Sequence, residues 1–173
     1  MLRKFIVAVL AATLAACVST PPNPLTPAVR QTLFVRDSAI TWSAQDGDDS
    51  DAFYVAERAA FRERLQTAVN AAFDNSPAGS EPVRFDIEVK QYSRVGMMVG
   101  NLLGGANVVL ADVHVVRLSD GQRLGTYTDI MGRSATGGGV IGVLVQAATR
   151  PDVAQVMSDT FAANLRQRFD AER

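Results

Sequence analysis

Cysteine is almost absent from this 173-residue chain: Cys17 is the only one, so no intrachain disulfide can brace the fold and packing must hold it together. Histidine is as scarce, and His114 with scattered carboxylates lacks the clustered ligands of a dedicated metal site. No apolar run reaches the roughly 20 residues that a membrane-spanning helix needs. Positive charge is not in excess either. There are 17 basic against 18 acidic residues, and nothing forms a stripe able to follow a phosphate backbone, which excludes nucleic acid as the expected partner. A phosphate loop, a dinucleotide fingerprint and a nucleophile elbow are all missing, so no cofactor is expected.

What is present begins with a three-part N-terminus: a basic start over Met1-Leu2-Arg3-Lys4, an apolar run from Phe5 to Ala12, and small residues leading to Cys17. This is the pattern of an export signal, too short and too rich in alanine for a permanent span. The end of the segment, Leu14-Ala15-Ala16-Cys17, resembles the lipobox of bacterial lipoproteins. That resemblance implies cleavage before Cys17 and attachment of palmitate-type acyl chains, several of which make a stable anchor where one would not. An ordinary signal peptide with a chance cysteine, or a buried structural cysteine, is the plainer alternative. In lipoproteins of Gram-negative bacteria an acidic residue after the cysteine commonly favours inner-membrane retention. Val18 is not acidic, so the resemblance implies the outer membrane, facing the periplasm.

The organisation expected is therefore a signal peptide over 1–16, a lipidated cysteine with a proline-rich tether over 17–28, and one domain over 29–173. Four prolines between Pro21 and Pro27 disfavour a helix there and suit an extended spacer. Without Arg3 and Lys4 the mature chain has 15 basic and 18 acidic residues, a formal charge of about −3.

Along the domain, Leu33-Phe34-Val35-Arg36 starts a strand that extends toward Trp42. The cluster Asp46-Gly47-Asp48-Asp49-Ser50-Asp51 reads as a turn with helix-capping acceptors; it lacks the spaced ligands and terminal Glu of a calcium loop. From Ala52 to Phe73, Tyr54, Phe61, Leu65, Ala68 and Ala72 recur at helical spacing. Val83 to Lys90 alternates strictly, apolar at odd positions and charged at even ones, as a strand with one wet face requires. Val108 to Leu118 is apolar on both sides and suits an interior strand. Asp120-Gly121 turns the chain into a strand over Arg123 to Ile130. A last helix beginning near Pro151 carries Ala154, Met157, Phe161, Leu165 and Phe169 on one stripe. The expected fold is an α+β two-layer sandwich: an antiparallel or mixed sheet of about four strands, with the long helix and the C-terminal helix on one face.

Two uncharged glycine-rich segments stand out, Gly96 to Gly105 and Gly137 to Val145. Met97, Met98, Val99, Leu102, Leu103, Val140 and Ile141 form a candidate apolar contact surface. Three readings are open: a connecting loop and a short packed helix, a contact surface for another subunit or an envelope protein, and shallow insertion into the bilayer beside the anchor. Gly96, Gly100 and Gly104 match a close-packing helix spacing, a weak signal outside a membrane span.

Catalysis has little to stand on. Asp112 lies two positions from His114 on one strand face, and Ser134 completes a triad only on paper. Asp86, Glu88 and Asp129 cannot be placed across a cleft from sequence. No catalytic, cofactor or metal residue is expected.

The lipobox, Phe85-Asp86-Ile87-Glu88-Val89, Gly104-Gly105-Ala106-Asn107, Asp120-Gly121-Gln122-Arg123-Leu124-Gly125 and Phe161-Ala162-Ala163-Asn164-Leu165 together resemble small proteobacterial outer-membrane lipoproteins. These include a domain-of-unknown-function group related in fold to the N-terminal domain of the translocation protein TolB. The resemblance implies a non-enzymatic module with an envelope-protein partner or self-association, besides membrane lipid at Cys17. It brings no catalytic residues. A carrier of a lipid or glycan fragment, with a cavity between helices and sheet, is the alternative, and a small hydrolase a more remote one.

Overall fold

The computed structural model describes residues 21–43, 52–74, 79–93, 105–136 and 152–172. In chain order the elements are α1 (Pro27–Thr32), β1 (Leu33–Trp42), α2 (Ala52–Phe73), β2 (Glu81–Ser93), β3 (Gly105–Arg117), β4 (Arg123–Thr136) and α3 (Val153–Asp170). The four strands form one sheet in sequence order. β1 runs parallel to β2 through the α2 crossover, and β2–β3 and β3–β4 are antiparallel, so the sheet is mixed. Both long helices pack on one face, giving the two-layer α+β architecture expected from the sequence.

The core lies between those layers. From β2, Val83, Phe85, Ile87 and Val89 are fully buried, and their even-numbered neighbours point to the other side, as the alternation required. Past Val89 the register shifts at a bulge, so that even-numbered Tyr92 turns inward. This shift is why β2 extends to Ser93 although the alternation stops at Lys90. On α2, Phe61, Leu65, Val69 and Phe73 recur every four residues and are buried. Two aromatic clusters mark the ends of the core. Phe73, Phe85 and Phe169 meet edge-on at 4.9–6.0 Å at one end, while Trp42, Phe61 and Tyr92 meet at the other.

Gly132 sets the fit of α3 on β4. A Cβ there would collide with the Met157 carbonyl oxygen and lie 2.8 Å from both Phe161 Cβ and Val109 Cγ1. The helix backbone therefore rests directly on the strand, and β4 continues six residues beyond the expected Ile130. Asp152 caps α3, accepting from the amides of Ala154 and Gln155 at 3.1 and 3.3 Å, so a carboxylate cap sets the start that the sequence assigned to proline.

Two further details differ from the sequence reading. The expected spacer gives way to folded structure before residue 28: Leu25 is 4% exposed in the core, and Thr26 caps α1 with Pro27 in its first turn. Pro27 is tolerated because its missing amide would have had no partner at that position. β3 is interior, between β2 and β4, but Val108, Leu110 and Val116 are half-buried on the face opposite the helices. The acidic cluster at 46–51 lies outside the described residues. No helix among the described residues is long and apolar enough to cross a membrane.

Candidate functional site

Cys17 lies outside the described residues, as do Met97, Met98, Val99, Leu102, Leu103, Val140 and Ile141. What the structure does show is how the chain that follows Cys17 is fastened. Asn23 Nδ2 donates to the carbonyls of Arg168, Phe169 and Ala171 at 2.9, 3.1 and 2.9 Å. Its Oδ1 accepts from the Leu25 amide at 3.0 Å and from the Tyr127 hydroxyl at 2.9 Å. One side chain thus satisfies the open C-terminal carbonyls of α3 and ties the N-terminal segment to both α3 and β4. Arg30 reinforces the arrangement: it is nine-tenths buried, and its guanidinium donates to the Phe169 carbonyl, placing a cation at the negative end of the α3 dipole. Beside it, Pro27, Arg30, Leu33, Arg166, Phe169 and Asp170 line a shallow groove of about 230 Å³.

Burial pushes the Tyr127 phenol up to about 12, against the opposing influence of the Arg30 charge. The hydroxyl stays neutral, as a donor to Asn23 must.

The sheet face away from the helices carries the polar residues. Arg84 forks onto Asp86 at 2.6 and 3.2 Å. Lys90 Nζ reaches Asp112 and Asp129, both at 2.7 Å, and Asp112 also accepts the Asp129 amide at 2.9 Å. Partial burial works against the charge on Asp112, but the Lys90 and Asp129 hydrogen bonds together hold its carboxyl below the usual range. Asp129 has φ +56°, a left-handed residue at the point where β4 shifts register. His114 and Asp112 share this face, as the sequence placed them. The ring Nδ1 of His114 is 2.9 Å from Thr126 Oγ1, and Nε2 is 3.7 Å from Glu88. Ser134 faces the opposite way, buried in the helix layer across from Asn107, so the paper triad cannot assemble. Asp86, Glu88 and Asp129 all project from the same side of the sheet, with Asp86 and Asp129 engaged by cations; they do not oppose one another across a cleft. Among the described residues no three His, Cys, Asp or Glu side chains come together to hold a metal.

Sequence reasoning missed Asn23 and Arg30, whose partners lie more than a hundred positions away. The one signal available was the placement of an amide side chain within a proline run, Pro22-Asn23-Pro24, where an asparagine is held rigidly enough to serve as a clamp.

No family model matches this chain, and no curated protein does. Among solved structures it is weakly similar to a protein of Caulobacter crescentus CB15 described as a lipoprotein, with 9% identity, 82% of this chain and 90% of that one covered, and a TM-score of 0.43. It is also similar to PelC, a dodecamer in its Paraburkholderia phytofirmans crystal form, with 13% identity, coverage of 90% and 95%, and a TM-score of 0.41. A third is lipoprotein GNA1162 of Neisseria meningitidis, with 14% identity, coverage of 68% and 94%, and a TM-score of 0.29.

Proposed function

We propose that this chain is an outer-membrane lipoprotein whose periplasm-facing domain serves as a non-enzymatic assembly or protein-binding module. The observation that carries the proposal is Leu14-Ala15-Ala16-Cys17, in which the only thiol of the chain stands six positions ahead of the Asn23 clamp. Acyl chains on Cys17 would hold the body at the membrane, and Val18 directs the reading to the outer one. The kinship with the domain-of-unknown-function lipoproteins, and through them with the TolB N-terminal domain, belongs to this proposal. So does a partner, an envelope protein or a second copy, met through the apolar residues from Met97 to Leu103 and at Val140 and Ile141.

The carrier alternative gains no support from the interior. Phe61, Leu65, Ile87, Val113, Met157 and Phe161 fill the space between helices and sheet where its cavity would lie.

Fractionation and crosslinking in a Gram-negative host test the proposal. Wild type should sediment with outer membranes and crosslink to a discrete partner. Cys17→Ser should lose the anchored form, and Val99→Asp or Leu103→Asp should lose the partner while the far-ultraviolet circular dichroism stays unchanged. Firm membrane retention of Cys17→Ser would contradict the anchor, and crosslinks that survive both aspartates would contradict the contact surface.

A further inference from the structure

The chain is fastened at one end of a long body, and Ser93, Gly105 and Thr136 close their strands at the other. At the Asn23 end, β1 and β2 begin, β3 passes into β4, and α3 finishes. The pairs Leu33↔Glu81, Val83↔Arg117 and Val116↔Arg123 fix this alignment. At the far end, β1 closes at Trp42, β2 closes at Ser93 beside Val108, Gly105 pairs with Thr136, and α3 starts at Val153. With a rise of about 3.3 Å per residue, the 13 residues of β2 separate the two ends by about 40 Å. The residues between Cys17 and Asn23 are five, two of them prolines, and fully extended they reach about 20 Å. The linker cannot lead round to the far end.

Resting on the anchor proposed above, we infer that the Asn23 end is a membrane-facing surface fitted to a phospholipid headgroup layer, with the long axis directed away from it. Side-on attachment is opposed by charge. The open sheet face would bring Asp37, Asp86, Glu88, Asp112 and Asp129 against the headgroups, with Arg84, Lys90 and Arg133 to balance them. The helix face presents Arg62, Glu63 and Asp159 to solvent. At the Asn23 end, by contrast, Glu81 and Asp120 are held by Arg117 and Asp170 by Arg166. Exposed Leu118 and Val29 supply apolar area there, and Arg123 and Arg168 match the charges of Asp74 and Glu172. The consequence is a polarised molecule that carries its far end about 40 Å out from the bilayer.

Trp42 is the only tryptophan of the chain and lies at the far end, which makes it a natural probe. Acylated full-length protein is reconstituted into phosphatidylethanolamine and phosphatidylglycerol vesicles carrying a dansyl headgroup acceptor. Energy transfer from Trp42 is compared with transfer from Leu118→Trp in a Trp42→Phe background. Transfer from position 118 should be severalfold stronger. Equal transfer from vesicle-bound, acylated protein, or stronger transfer from Trp42, overturns the orientation and leaves the anchor standing. A product whose mass shows an unmodified Cys17 overturns the anchor itself, and the orientation with it. If Leu118→Trp perturbs the turn, Asp120→Trp in the same background provides the same comparison.

Discussion

The Tyr127 hydroxyl donates to Asn23 Oδ1 across 2.9 Å, joining residues 104 positions apart and closing the N-terminal segment over the end of the core. Asn23 turns its amide to α3 and its carbonyl oxygen to β4 and Leu25, so neither group can be lost without leaving buried partners unmet. Asn23→Ala is expected to cost about 1–3 kcal/mol and to lower the midpoint of thermal unfolding by several degrees. Asn23→Asp should be worse, because it sets a negative charge at the negative end of the α3 dipole. Circular dichroism melting, with limited proteolysis between Pro21 and Thr26, checks both effects.

Alkaline titration should single out Tyr127. Its folded pKa of about 12 lies above the ordinary value of 10.0. The neutral phenol is therefore favoured by folding. The contribution is fully present below pH 10 and is lost as pH rises through 12. Absorbance at the phenolate band should show a late-titrating component that disappears in Tyr127→Phe, and the variant should lose less stability than wild type across that interval.

Gly132 and Gly125 should differ sharply in tolerance. Gly132→Ala presses a methyl group into the Met157 backbone carbonyl, which cannot yield without displacing α3, so loss of several kcal/mol or failure to fold is expected. At Gly125 the nearest neighbour is the Leu25 Cδ2 tip at 2.9 Å, a side-chain end that can rotate. Urea unfolding of the two variants, read side by side, should place Gly125→Ala well above Gly132→Ala.

On the open face, the depressed pKa of Asp112 means that its ion contributes to stability fully above the ordinary carboxylate value and that this is lost as pH falls below that value, through the depressed folded one. Lys90→Met should flatten this acid dependence. The effect is expected to be below about 1 kcal/mol, since Lys90 is one-third exposed and solvent screens the pair. Denaturant midpoints between neutral pH and the acid limb measure it.

How much of this was legible in the sequence depends on how local each cause is. The odd-numbered residues from Val83 to Val89 announced a strand and its buried face, and the stripes of α2 and α3 announced helices, because each signal repeats within a few residues. The bulges at Val35/Asp37 and Val89/Gln91 were not legible: one extra residue flips the pattern, and nothing nearby records it. Whether β1 pairs parallel or antiparallel is likewise a property of the whole chain, decided by the α2 crossover. Of the candidate site, the isolation of His114 from Ser134 followed from strand parity once β4 was known to cross the bulge at Asp129. The Asn23 clamp stayed hidden because its partners, at Tyr127 and Arg168 to Ala171, are brought to it only by the completed fold.

The most direct test of the account is the intact mass of the protein extracted from membranes of a Gram-negative host. The expected product begins at Cys17 and carries diacylglyceryl and N-acyl additions. A chain that retains residues 1–16, or one that begins at Cys17 with a bare thiol, would contradict it.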